Sequence, residues 1–478
     1  MTSNIRLIFE KGIEEEIHNY IPEMDIDVKD LNEIIPKTLL RKNIPIPNVP
    51  EIEIVRHFVN LSHKNYGVDL GIYPLGSCTM KYNPKINEIV EKMPGYSQVH
   101  PLQDENQGSI ELLYNLSKML GEITGMDAFT LQPAAGAHGE LVGLLIIKKY
   151  FEDRGLKKDK IIVPDSAHGT NPASAKMAGF SIIELTSNEQ GEVPIDHLEY
   201  VMQEGDVAGI MLTNPNTLGV FDRQIKKITQ IVHDNGGLCY YDGANLNPML
   251  GTCRPRDMGF DIIHLNLHKT FATPHGGGGP GSGPIGVIDE LSPFLPEPCI
   301  ISTEEGLVCK QTSNKSIGRI KAFWGNFGVI VRAYAYILAL GSDGLKRVGQ
   351  IAVLNANYLR VLLKKKYFLP FNRICQHEFV ITDRNMPNNI TTEDIAKRIL
   401  DYGIYAPTVY FPLVVPGALM IEPTETESKS SLDSFLEIME KIYDEAESEP
   451  EKVRNSPHNT PVKRLDAVTA ARKPVLHD

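Results

Sequence analysis

From about residue 105 onward, short β-branched runs alternate with amphipathic stretches. The runs fall at 128–131, 160–163, 181–185, 210–213, 238–241, 261–265 and 285–288, with helical spacing between several of them, as at 222–235. That alternation predicts an α/β fold with a mostly parallel sheet covered by helices. After Gly318 a long helical pattern covers 319–350, with Gly341 and Gly344 as interruptions. Strand patterns at 378–382 and 418–422 and helical patterns at 392–402 and 429–446 then predict a smaller α/β domain. The first hundred residues are polar and proline-rich, and the prolines between 44 and 50 read as an extended connector because each biases its predecessor away from helix. The expected division is an N-terminal arm at 1–100, a large domain at 101–330, a small C-terminal domain at 331–451 and a basic tail at 452–478.

Composition narrows the function classes. The chain has 478 residues, of which 42% are hydrophobic, enough for two or three domains with real cores. With 60 acidic against 48 basic residues its net charge is −12, which argues against duplex nucleic-acid binding by phosphate neutralisation. Cys78, Cys239, Cys253, Cys299, Cys309 and Cys375 lie far apart without a CxxC pair, so no metal site and no secreted disulfide framework is expected, and a reducing cytoplasm is the expected compartment. The N-terminus does not read as a signal peptide. No apolar run approaches the roughly 18–20 residues of a membrane span; the best candidate, 329–341, is broken by Arg332 and two tyrosines.

The chemistry concentrates around Lys269. It lies in His264-Leu-Asn-Leu-His-Lys-Thr270, precedes the tract His275-Gly-Gly-Gly-Gly-Pro-Gly-Ser-Gly283, and follows Asp242 at the end of an apolar run. A Schiff-base lysine needs an aldehyde cofactor, and pyridoxal phosphate (PLP) needs a carboxylate to keep its ring nitrogen protonated. The run Ala134-Ala-Gly-Ala-His-Gly-Glu140 opens an apolar helix; Ala135, Gly136 and Ala137 let backbone N–H groups approach a phosphate at a helix N-terminus. A tight strand-to-helix turn has the same composition. His168, in Asp165-Ser-Ala-His-Gly-Thr-Asn-Pro172, sits just past a strand where ligands of open α/β sheets gather, and is the candidate to stack on the cofactor. An ordinary turn histidine reads alike. Asp242 is either the partner of the pyridine nitrogen or a helix cap, with Ala244 against the other ring face. Thr213, Asn214 and His268 complete the candidate cofactor set. The glycine tract lacks the spacing of a P-loop or a dinucleotide fingerprint and reads as flexible backbone at a substrate entrance.

The segment Tyr73-Pro-Leu-Gly-Ser-Cys-Thr-Met-Lys-Tyr-Asn-Pro84 gathers Ser77, Thr79 and Lys81 in one turn-rich loop, with His100 shortly after. Hydroxyls and a lysine together suit a substrate carboxylate. A structured turn has the same residues.

Together with Tyr241-Asp-Gly-Ala-Asn-Leu-Asn247, the run from 316 to 328, His377-Glu-Phe379, Glu422-Pro-Thr-Glu425 and Ala470-Ala-Arg-Lys-Pro-Val-Leu476, these motifs resemble the P-protein family of the glycine cleavage system over nearly the whole chain. The likeness is to subunit 2, the PLP-bearing part of the two-subunit form; single-chain relatives often carry Gln at the position of His138. The resemblance implies a fold-type I PLP enzyme, aspartate aminotransferase-like, that acts as a glycine dehydrogenase. It implies decarboxylation of glycine and transfer of the aminomethyl group to the lipoyl disulfide of H-protein, with Lys269, His168 and Asp242 as catalytic residues. It also implies a two-plus-two heterotetramer with subunit 1. Rival readings are another fold-type I decarboxylase, an aminotransferase using Arg319 or Arg332 for the substrate carboxylate, and a non-catalytic subunit.

Overall fold

Strand β5 (Leu238–Gly243) is buried along its whole length, as expected of a central strand covered on both faces. Around it, in the computed structural model, a seven-stranded sheet is built from β1 (Ala128–Thr130), β2 (Lys160–Pro164), β3 (Ser181–Leu185), β4 (Val207–Leu212), β5, β6 (Ile262–Leu265) and β7 (Ile285–Val287). Its order is β1-β7-β6-β5-β4-β2-β3. Pairings from β3 through β6 are parallel, and β7 alone runs against its neighbours. The structure describes residues 6–11, 25–41, 46–101, 103, 106–276, 281–304 and 306–476.

The mostly parallel α/β sheet read from the pattern is therefore the one observed. A short hairpin, β8 (Cys299–Thr303) and β9 (Gly306–Lys310), had no counterpart in that reading; its half-exposed strands lack a clear alternation of apolar and polar positions. Part of the proline connector expected at 44–50 falls outside the described residues; 46–50 carry no regular structure and lead into the helix Glu51–Ser62.

A second sheet is antiparallel, ordered β10-β12-β11, from β10 (Phe379–Thr382), β11 (Thr408–Val409) and β12 (Ala418–Ile421). Each sheet has its own core. Phe260, Ile263 and Tyr241 belong to the one around the large sheet, while Phe379, Ile421, Phe435 and Met439 belong to the other. The helix Phe327–Leu363 serves both, with Val329 and Ile330 in the first core and Leu359 and Leu363 in the second. At Gly341 its backbone leaves helical geometry (φ 62°, ψ −175°), a conformation only glycine adopts without strain, whereas Gly344 stays helical. Among the described residues this is the one helix long and apolar enough to cross a membrane, although the sequence pattern showed none. Its break and its place in two protein cores account for its apolar composition. By contact density the chain forms two compact units, residues 1–67 and 68–478, and both sheets lie in the second.

Candidate active site

Parallel strands end together, so the residues that follow β2, β4, β5 and β6 share one edge of the sheet. His168 follows β2, Thr213 follows β4, Asp242 closes β5, and Lys269 lies in the short helix Leu267–Thr270 directly after β6. Positions separated by a hundred residues thus converge.

Asp242 is 1% exposed, and its carboxylate accepts from Asn171 Nδ2 (2.9 Å) and from the Ala244 N–H (2.9 Å). His264 Nε2 lies 3.2 Å from its Oδ1. Burial opposes ionisation, yet His264, these two donors and Lys269 hold the carboxyl below its ordinary range. A buried carboxylate kept ionised in this way is ready for one more cation.

His168 is half-buried beside Phe411, with ring centroids 5.5 Å apart. Its Nδ1 accepts from the Thr170 N–H (3.3 Å), which assigns the ring proton to Nε2. Burial, then the charge of Lys269, pushes His168 down, so it is a neutral ring at neutral pH. The Thr170 hydroxyl donates to buried Glu140, which also accepts from Ser174 and so anchors the helix Thr170–Met177 under the His168 turn. His268 is pushed down to about 3 by burial and by Lys269, and its Nδ1 accepts from the Ser282 N–H (3.4 Å).

The helix Gly136–Asp153 begins at Ala135 without a side-chain cap. A Cβ at Gly136 would lie 2.6 Å from Asn266 Nδ2, so a larger residue there would have to displace the Asn266 amide. Close in sequence to Asn266, which abuts Gly136, and to Gly283, which abuts Ala135, the buried hydroxyls of Thr270, Thr273 and Ser282 have no partner among the described residues. Buried polar groups are nearly always satisfied, so unsatisfied groups next to an uncapped helix start suit an anionic ligand. An amine, an ionised buried carboxylate, a neutral imidazole and such an anion cradle are the donor set PLP requires. The residues fit that cofactor.

Opposite this floor lies the segment 73–81, fastened to the second sheet. Leu75 bridges Ile421, and a Cβ at Gly76 would come 2.2 Å from Met420 Cγ. Successive odd residues then meet acids: the Ser77 N–H donates to Glu378 Oε2 (2.7 Å), the Thr79 hydroxyl to Glu422 Oε1 (2.6 Å), and Lys81 Nζ to Glu425 Oε1 (2.7 Å). Lys81 spends its other donors on Asn247 (2.8 Å) and Tyr336 (3.3 Å). Lys269 Nζ, almost buried, donates to the Ser77 carbonyl at 2.8 Å.

Known proteins place this geometry in a family. Residues 348–464 match the family model for the glycine dehydrogenase C-terminal domain, and residues 143–278 match that for class-V aminotransferases. A relative from Kosmotoga olearia, named probable glycine dehydrogenase (decarboxylating) subunit 2, is 56% identical over 98% of both chains. One of the same name from Caldanaerobacter subterraneus subsp. tengcongensis is 54% identical over 98% of both. The chain belongs to the glycine dehydrogenase (decarboxylating) subunit 2 family. A crystal structure of glycine decarboxylase (P-protein) in inhibitor-bound form superposes with a TM-score of 0.74 at 18% identity, covering 88% of this chain and 99% of that one. Lactobacillus brevis glutamate decarboxylase gives 0.64 at 14% identity, covering 85% and 95%. These likenesses carry the fold, that of fold-type I PLP enzymes.

Within this family member, Lys269, Asp242, His168, Thr213 and His268 gather at one sheet edge, and Ala244 donates its N–H to Asp242. Ala135, Gly136 and Ala137 form the start of the cradle helix. The Asn214 amide is engaged elsewhere, bonded at both ends to the Asp222 backbone. Thr79 and Lys81 are buried and committed to Glu422 and Glu425, so the 73–81 loop is a tied segment and its lysine is fully used. His100 is exposed and packs edge-on against Phe323 at 4.8 Å. Of the glycine tract, residues 277–280 lie outside the described part; Gly283 is packed tightly, its N–H bonded to Pro133 O at 3.0 Å, rather than lining an entrance. Arg332 pairs with Glu88 at 2.8 Å.

Sequence reasoning missed Asn171, His264, Glu378, Glu422 and Glu425 as site residues. For the glutamates the available signal was an acid flanking each of two apolar runs, Phe379 to Thr382 and Ala418 to Ile421. Pairing across the second sheet supplies the rest.

Proposed function

We propose that this chain decarboxylates glycine with PLP and transfers the remaining aminomethyl group to the lipoyl disulfide of H-protein. The observation that carries the reading is the sheet edge where Lys269 stands with ionised Asp242, in a chain 56% identical over 98% of its length to a glycine dehydrogenase subunit. Lys269 would hold the cofactor covalently, the helix start at Ala135, Gly136 and Ala137 its phosphate, and Asp242 the proton on its ring nitrogen. When bound, PLP supplies an electron sink for the pair released as the carboxyl carbon leaves. His168 would cover one ring face and Ala244 the other. Neutral His168 carries its proton on Nε2, where it can donate to a substrate atom.

The basic tail, the partner subunit 1 in a two-plus-two assembly and the cytoplasm as compartment belong to the same proposal, as does the division into arm, large domain, small domain and tail. The relatives' names support the partner: those proteins are called subunit 2. The test is borohydride reduction of the PLP-loaded protein followed by peptide mapping, beside glycine-dependent CO2 exchange with and without subunit 1 and H-protein. Label on Lys269 alone and exchange that requires glycine are expected; label on another lysine refutes the site.

A further inference from the structure

Three buried carboxylates around the 73–81 segment have no part in the chemistry described so far. Two of them face each other. The antiparallel register of β10 and β12 pairs Phe379 with Ile421, so the next rung sets Glu378 opposite Glu422. Both are essentially unexposed, and one carboxylate oxygen of each, with a ring nitrogen of His377, lies within 4.8 Å of the others. Like charges directly across a ladder repel, and two buried carboxyls so close do not both ionise.

Their partners differ. Glu378 accepts from two N–H groups, Ser77 N at 2.7 Å and Asn245 Nδ2 at 3.3 Å, donors that can only serve an acceptor. Among the described residues Glu422 accepts a single bond, from the Thr79 hydroxyl at 2.6 Å, and its Oε2 meets no N–H donor of the kind that would hold a carboxylate ionised. Burial lifts Glu378 to about 7, whereas burial and the charge of Glu378 lift Glu422 well above the carboxylate range. Of the two, Glu378 is thus the one that ionises, and it is mainly anionic above about pH 7.

Ser77 connects this pair to the reactive amine. Its backbone is left-handed (φ 64°), a conformation that costs a non-glycine residue on the order of 1–2 kcal/mol unless its surroundings hold it. Glu378 holds the N–H side of that residue, and Lys269 Nζ meets its carbonyl at 2.8 Å. Gly219 packs against the Glu378 backbone so closely that a Cβ there would stand 1.9 Å from Glu378 O, which fixes the main chain that carries the acid.

We propose that Glu378 is an anionic positioning residue that sets Lys269 through the main chain of Ser77, and that Glu422 completes the latch as a neutral carboxyl group. This rests on Lys269 being the reactive amine. Because Gln copies a neutral carboxyl but not a carboxylate, the two acids answer the same substitution differently. Using the full-length chain loaded with PLP together with its partner subunit and H-protein, at pH 8 where Glu378 is mainly ionised, Glu378→Gln loses about 30-fold in kcat with KM little changed, no better than Glu378→Ala. Glu422→Ala loses about tenfold, and Glu422→Gln recovers all but about threefold of wild type.

A second readout needs no cofactor and no turnover. Cys78 follows Ser77 in the latched segment and is half-buried, so its alkylation by iodoacetamide, mapped by mass spectrometry, reports opening of the latch. Alkylation is expected to rise about tenfold in Glu378→Gln and to stay within about twofold in Glu422→Gln, since a tenfold change corresponds to roughly 1.4 kcal/mol of lost latch stability. Equal damage from the two Gln variants in both assays, or a Glu378→Gln protein indistinguishable from wild type, overturns the assignment. Failure of Lys269 to trap PLP in the wild-type protein would instead strike the proposed function, leaving the Cys78 result to judge the latch by itself.

Discussion

The floor and the roof of the site handle buried charge in opposite ways. On the floor, Asp242 is surrounded by groups that favour its ionised form, namely His264, Asn171 and the Ala244 N–H, and is prepared to meet a cation. On the roof, Lys81 is already neutralised by Glu425 and fully hydrogen-bonded, while Glu378 and Glu422 fasten the neighbouring residues. Floor charges are placed for chemistry and roof charges for shape. Removing a floor group should therefore lose rate in a folded protein, and breaking the Lys81–Glu425 pair of the roof should lose stability.

The largest effect expected is on the floor: Lys269→Ala lowers glycine-dependent CO2 exchange by about 10⁴-fold or more while thermal unfolding stays close to wild type. A variant that unfolds instead would erase the distinction. On the roof, Lys81→Met leaves Glu425 buried without its cation, which costs about 3–5 kcal/mol in denaturant unfolding. The double variant Lys81→Met/Glu425→Gln recovers more than half of that loss, because no unpaired charge remains. Recovery of activity without recovery of stability would move Lys81 to the floor.

A smaller effect is expected for Asp242→Asn, about a hundredfold in exchange with unchanged unfolding, since the amide keeps the shape but cannot hold a positive ring nitrogen. The smallest concerns the second sheet away from the site. There burial opposes the charge of Glu445, but Arg398, Lys452 and Tyr402 hold its carboxyl at about 2. Its folded value is depressed from 4.5, so its contribution is complete above pH 4.5 and fades as pH falls toward 2. Glu445→Gln should cost about 1–2 kcal/mol at pH 7, measured by urea unfolding, with the difference from wild type vanishing toward pH 2.

The two sides also differ in how far the sequence disclosed them. Floor residues belong to contiguous motifs, because a strand end and the turn after it are written in one stretch of chain: Asp242 closes an apolar run and Lys269 follows the next. The roof joins Ser77, Thr79 and Lys81 to acids some 300 positions later, by hydrogen bonds spanning 301, 343 and 344 residues. Within the loop alone, two hydroxyls and a lysine were read as a receptor for a carboxylate. The Thr79 hydroxyl and Lys81 do meet carboxylates, those of Glu422 and Glu425, and Ser77 meets Glu378 through its backbone N–H; the partners are the protein's own.

Local pattern was sufficient for the alternation of strands and helices, for the reactive lysine with its upstream aspartate, and for the glycine-bearing helix start, because each depends on neighbours along the chain. Whether a charged side chain is open to a ligand or spent inside the fold depends instead on which distant residue the sheets bring against it. That was decided by the register of β10 and β12, which sets two acids face to face beneath a segment from the other end of the chain.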